Sequence, residues 1–103
     1  MSFDPTHELS ETDLKTAIRK ILGADGMLYY TGHAEIQMQK RGYNYRDVTY
    51  ILEKGALVNT EYNDKAGNWK YTIRGDDLDG DSGAIVVAIV KQREGLVITV
   101  LSA

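Results

Sequence analysis

Apolar positions along this chain change their period once. Between Ser10 and Lys54 they recur every three or four residues. After Gly55 they alternate or run together. In the first half Leu14, Ala17, Ile18, Ile21 and Leu22 form one stripe of helical period. Ser10 precedes it as an N-cap, and Glu11 and Asp13 in the first turn suit the positive end of the helix dipole. Gly23 stops this helix and Asp25-Gly26 forms a turn. Met27 to Thr31 reads as an edge strand or an extended lead-in. A second helix is predicted over Gly32–Arg41, with Gly42 as its C-terminal cap. Its apolar side (Ala34, Met38 and Ile36) is thin. A third helix is predicted over Asn44–Lys54, capped by Asn44, with Asp47 in the first turn and Val48, Ile51 and Leu52 as the buried stripe.

The second half reads as strands. Ala56 to Tyr62 is the first. The turn-forming Asn63–Asn68 loop leads into Trp69 to Arg74, where Trp69, Tyr71 and Ile73 alternate with Lys70, Thr72 and Arg74. An acidic loop, Gly75 to Gly83, separates this from Ala84 to Val90 and Leu96 to Leu101, both nearly all apolar. Helices followed by antiparallel strands make the fold class α+β: three N-terminal helices packed on a roughly four-stranded antiparallel sheet. Residues 1–9, with Pro5 and His7, read as a flexible tail, and residues 10–103 as a single domain. Helices can cover only one face of so small a sheet, yet both faces of the last two strands are apolar. The second face is therefore expected to meet a protein partner or a second copy of the chain.

Composition narrows the function classes. There is no cysteine, so disulfides, thiolate zinc sites and cysteine nucleophiles are excluded. No apolar run reaches membrane-spanning length and no signal-peptide pattern opens the chain, so a cytoplasmic protein without membrane contact is expected. The net charge of −3 and pI near 5.3 argue against a simple basic nucleic-acid binder. Charge is nonetheless uneven. Lys40, Arg41 and Arg46 cluster, while Asp76, Asp77, Asp79 and Asp81 form an acidic run. Asp77, Asp79 and Asp81 alternate like the start of a calcium loop, but no Gly stands at the sixth position and Ala88 stands where a Glu is needed. No metal or cofactor is expected. Five of the seven tyrosines lie between Tyr29 and Tyr50, which suits a partly wet surface or interface.

The pattern T-x-H-A from Thr31, then Met38, Arg41-Gly42, Asp47-Val48, Leu52 and Gly55, resembles an uncharacterised bacterial domain family grouped with the RelE/ParE toxins. The later W-K-Y-T-I-R-G and the closing V-I-T-V fit the same pattern. The order of elements is similar to that of MqsR-type toxins. The resemblance implies a RelE-like fold and a type II toxin-antitoxin toxin, a metal-independent endoribonuclease acting on mRNA and neutralised by an antitoxin protein.

Metal-free RNA cleavage needs a base, an acid and cations on the phosphate. On the second helix His33, Gln37, Lys40 and Arg41 fall on one side. His33 is the candidate acid/base because imidazole titrates near neutrality. Lys70 and Arg74 complete the candidate catalytic set, and Arg41, Gln37 and Tyr71 are the candidate substrate-binding residues. Each has a structural alternative: capping or packing for His33, the helix dipole for Arg41, a solvated strand face for Lys70 and Arg74, and the core for Tyr71. A strand's pleat also sets Tyr71 against Lys70 and Arg74 unless a bulge intervenes. The alternative function is a non-catalytic protein-binding module of the same fold that uses its apolar sheet face.

Overall fold

The computed structural model describes residues 3–102. Helix α1 (Glu11–Ile21) is followed by strand β1 (Met27–Tyr30), helices α2 (Gly32–Arg41) and α3 (Tyr45–Lys54), and strands β2 (Ala56–Asn63), β3 (Asn68–Asp76), β4 (Ser82–Lys91) and β5 (Glu94–Ser102). The α+β class and the three helices agree with the sequence pattern. The sheet differs: it has five strands in the order β1-β5-β4-β3-β2, and it is mixed. β1 pairs in parallel with β5, Tyr30 opposite Val97, while the other pairs are antiparallel. The four residues of β1 reveal nothing about a partner that follows more than sixty residues later. Only a crossover through the intervening helices and strands makes a parallel pair.

Each helix starts on a side-chain cap. Ser10 accepts from the Asp13 amide, and Asn44 and Asp47 form a reciprocal capping box. Thr31 caps α2 and also donates its hydroxyl to the Ile98 carbonyl on β5. Gly42 ends α2 with φ 69°, a left-handed conformation that glycine adopts without a Cβ penalty. Gly55 allows α3 to run directly into β2. A Cβ there would lie 2.6 Å from the Arg74 carbonyl oxygen.

One apolar core lies between the helices and one face of the sheet. Leu14, Ile18 and Ile21 of α1, Ala34 and Met38 of α2, and Val48, Ile51 and Leu52 of α3 meet Tyr71, Ile73, Ile85, Val87, Ile89, Val97 and Val100. Val97 and Val100 both face inward although three residues apart. The β4–β5 register shifts between Val86 and Val87, so Val86 pairs with Thr99 and Val87 with Val97, leaving Ile98 as the extra residue of a bulge. A second shift, between Leu57 and Asn59, bends β2.

Residues 3–9 run over the helix side of the sheet. Phe3 and Leu9 pack on the core, Trp69 Nε1 donates to the Thr6 carbonyl at 2.9 Å, and the Leu9 amide donates to the Tyr71 hydroxyl at 2.9 Å. The expected tail is thus tied down over this stretch. Its first two residues, like Ala103 at the other end of the expected domain, lie outside the described residues. No described helix is long and apolar enough to cross a membrane.

Candidate functional site

The pleat of β3 decides where its side chains go. Register with β4 is unbroken, so Lys70, Thr72 and Arg74 share one face, opposite Ala88, Val86 and Ala84. That face is the one the helices leave open. Trp69, Tyr71 and Ile73 point to the helix side. No bulge brings Tyr71 round to Lys70 and Arg74.

Tyr71 is 1% exposed, and its hydroxyl accepts from the Leu9 amide. Burial pushes its phenol above the ordinary value. The ring is core, out of reach of a base or a phosphate, which corrects its reading as a substrate-binding residue. Lys70 Nζ lies 2.9 Å from Glu61 Oε1, directly across the β2–β3 pair. Arg74 is exposed, and among the described residues it has no ion pair.

His33 is exposed in the first turn of α2, a helix whose buried residues Ala34 and Met38 belong to the helix-side core. The sheet therefore stands between His33 and the Lys70–Arg74 face. Gln37 is half-buried on the same helix. Together, His33, Lys70 and Arg74 do not form a single constellation.

Arg41 goes elsewhere again. With Gly42, Tyr43 and Ser82 it lines a cavity of about 340 Å³ that also contains Asp47, Asp77, Asp79 and Asp81. Its half-buried guanidinium faces an acidic wall, the wrong partner surface for a phosphate. The acids themselves hold the local fold. Asp47, 6% exposed, accepts from the Asn44 amide at 3.0 Å and the Leu78 amide at 3.3 Å, tying α3 to the β3–β4 loop. Asp77, equally buried, accepts from the Asp79 and Asp81 amides at 2.9 and 3.0 Å. Tyr43 also donates to Asp77, and burial first, then this bond, pushes its phenol up to about 12. Among the described residues no three acids, histidines or cysteines are placed to share a cation. Asp47 of the sequence motif thus ties α3 to the acidic loop, and Arg41 and Gly42 stand beside it in the cavity wall.

Two surfaces remain. The open sheet face is divided. Toward β2 it carries Asn59, Glu61, Lys70, Thr72 and Arg74. Toward β1 it carries Val86, Leu96, Leu101 and Tyr29, of which Leu101 is 39% and Tyr29 45% exposed. On the helix side, a groove of about 600 Å³ runs between α2 and the start of α3, bounded by Glu35, Ile36, Met38, Gln39, Tyr43 and Tyr45. The Tyr45 ring leans on Tyr30, centroids 4.7 Å apart. Reading the residues alone passed over this groove. Its one signal was the tyrosine cluster beside the thin apolar side of α2, where Ile36 turns out to be exposed.

A family model described as a domain of unknown function (DUF4258) matches residues 30–102. The chain belongs to this family. The matched segment opens at Tyr30, so it takes in every helix-side motif position from Thr31 to Gly55 and the whole of β2 to β5. The match bears on membership of an uncharacterised family, not on kinship with the RelE/ParE toxins. No curated protein and no solved structure matches the chain.

Proposed function

We propose that this DUF4258 domain is a non-catalytic protein-binding module that docks a partner through the open face of its sheet. The observation that carries this reading is the uncovered apolar half of that face, Tyr29, Val86, Leu96 and Leu101, in a chain whose helices and core lie against the other sheet face. Removing such a patch from water is the main driving force of association, and the adjoining Lys70 and Arg74 supply a polar, orienting rim. The separation of His33 from Arg74 by the sheet supports the same conclusion, because acid/base chemistry needs its groups within hydrogen-bond reach of one reacting atom. The test is a capture experiment from cells of the source organism with wild-type protein and a Leu96→Glu/Leu101→Glu variant. A protein retained by the wild type and lost with the variant is expected. The same set of proteins retained by both sinks the reading.

A second reading, a toxin that cleaves mRNA, has one observation in its favour: exposed Arg74, without an ion pair among the described residues, lies four residues from Lys70 on the open face. Two cations on one uncovered strand face could meet a phosphate backbone. Purified protein incubated with RNA, with growth measured on expression, decides between the two. Cleavage and toxicity that Arg74→Ala abolishes would replace the binding-module reading. Intact RNA and unimpaired growth retire the toxin.

A further inference from the structure

We propose that the groove between α2 and α3 binds an organic cation, an ammonium group carrying apolar substituents. Its volume of about 600 Å³ lies within the range of small-ligand sites. Its lining has one charged side chain, the carboxylate of Glu35. Ile36 and Met38 supply apolar wall, and Tyr43 and Tyr45 supply aromatic wall. Among the described residues no Lys, Arg or His lines the groove. The electron-rich face of a phenol ring attracts a cation, and a carboxylate beside such rings adds direct charge complementarity.

Glu35 is free for this role in a way the other acids are not. Asp47 and Asp77 are occupied by backbone amides in a cavity shared with Arg41. Glu35 is exposed and, among the described residues, accepts one long hydrogen bond, 3.4 Å from the Tyr45 hydroxyl. That bond holds the carboxylate at the aromatic wall without neutralising it. Tyr45 is kept in place by Tyr30 behind it. Tyr43 lines both the groove and the acidic cavity, and its hydroxyl is bonded to Asp77 of that cavity. Exposed Ile36 at the rim fits a ligand whose cation is surrounded by methyl or aryl groups better than a small hydrated ion. The groove lies on the helix side, so the proposal stands or falls independently of the open sheet face.

The test uses the full chain, with binding followed by amide chemical shifts. The probes are benzyltrimethylammonium, choline and 3,3-dimethylbutan-1-ol, the uncharged shape-mate of choline. The ammonium probes should shift amides between Glu35 and Gln39 and between Tyr43 and Tyr45, and the neutral alcohol should bind at least about threefold more weakly than choline. Glu35→Gln should weaken the cations by about three- to tenfold and leave the alcohol unchanged. Tyr45→Leu, at a surface position, should reduce the preference for charge, Glu35 and Tyr43 remaining, while keeping an apolar wall. Equal binding of choline and the alcohol, shifts confined to another part of the chain, no shift with either cation, or cation binding unaffected by Glu35→Gln would each overturn the proposal. Glu35→Gln, an exposed isosteric change, decides the matter even if Tyr45→Leu fails to fold.

Discussion

Thr31→Val separates structural from chemical roles in the T-x-H-A stretch that carries the candidate acid/base His33. The Thr31 hydroxyl makes two bonds. It accepts from the Ala34 amide at 3.0 Å and donates to the Ile98 carbonyl at 2.9 Å, pinning the start of α2 to the β5 bulge. Valine keeps the shape and loses both. Removing a Thr cap costs about 1 kcal/mol. Leaving the partly buried Ile98 carbonyl without its donor adds roughly another 1 kcal/mol. The sum, about 2 kcal/mol, corresponds to a fall in Tm of roughly 8–15 °C for a domain of this size. Thr31→Ser keeps both bonds and should cost well under half as much. His33→Ala, two residues on and exposed, should change stability by no more than about 0.5 kcal/mol. Urea and thermal unfolding of the three variants measure this directly. A Thr31→Val protein as stable as wild type, or a serine variant as damaged as the valine one, would refute the double role.

Three further outcomes are expected. Gly55→Ala puts a Cβ 2.6 Å from the Arg74 carbonyl oxygen and 2.7 Å from that of Ile51, so it should destabilise by about 2–3 kcal/mol in denaturant titration, a loss that a mere helix-end glycine would not show. Tyr71→Phe removes the acceptor of the Leu9 amide while keeping the ring in the core; stability should fall by about 1 kcal/mol, with faster hydrogen exchange at Leu9 and little change in the β3 amides. Burial raises the phenols of both Tyr30 and Tyr43 to about 12, so the folded chain holds protons that the unfolded chain releases from about pH 10. Stability is then full below pH 10 and lost as pH climbs toward 12. Phenolate absorbance should show these two tyrosines titrating late in the native state, and Tyr43→Phe should flatten the alkaline fall.

The helices were legible because each carries its own information. Ser10 and Asn44 stand at the N-termini of α1 and α3, glycine follows α2 and α3, and the stripes of α1 and α3 are local patterns that need no knowledge of the sheet. The alternation of β3 was legible for the same reason, and with it the opposition of Tyr71 to Lys70 and Arg74. How residues from separate elements are disposed about the sheet was not legible. His33 and Arg74 both have plausible chemistry, but the side of the sheet each occupies follows from where α2 packs, which spacing does not encode. The loop bearing Asp77, Asp79 and Asp81 lines the same cavity as Arg41, a neighbourhood that helical spacing does not encode.

The amino-acid sequence by itself determined the α+β class, the three helices and their caps, the strand-like second half, and the apolar character of both faces of β4 and β5. These are properties of neighbours within a few residues, where backbone geometry and burial periodicity act directly. The tertiary structure alone decided that Met27–Tyr30 completes a mixed sheet beside β5, that the Ile98 bulge turns Val97 and Val100 to the same side, that Thr31 and Asp47 act as ties, and that Arg41 lines an acidic cavity. It alone formed the α2–α3 groove and left one sheet face open. Each of these depends on pairing and packing between segments distant in the chain, whose free energy exists only once the whole domain has closed around its core.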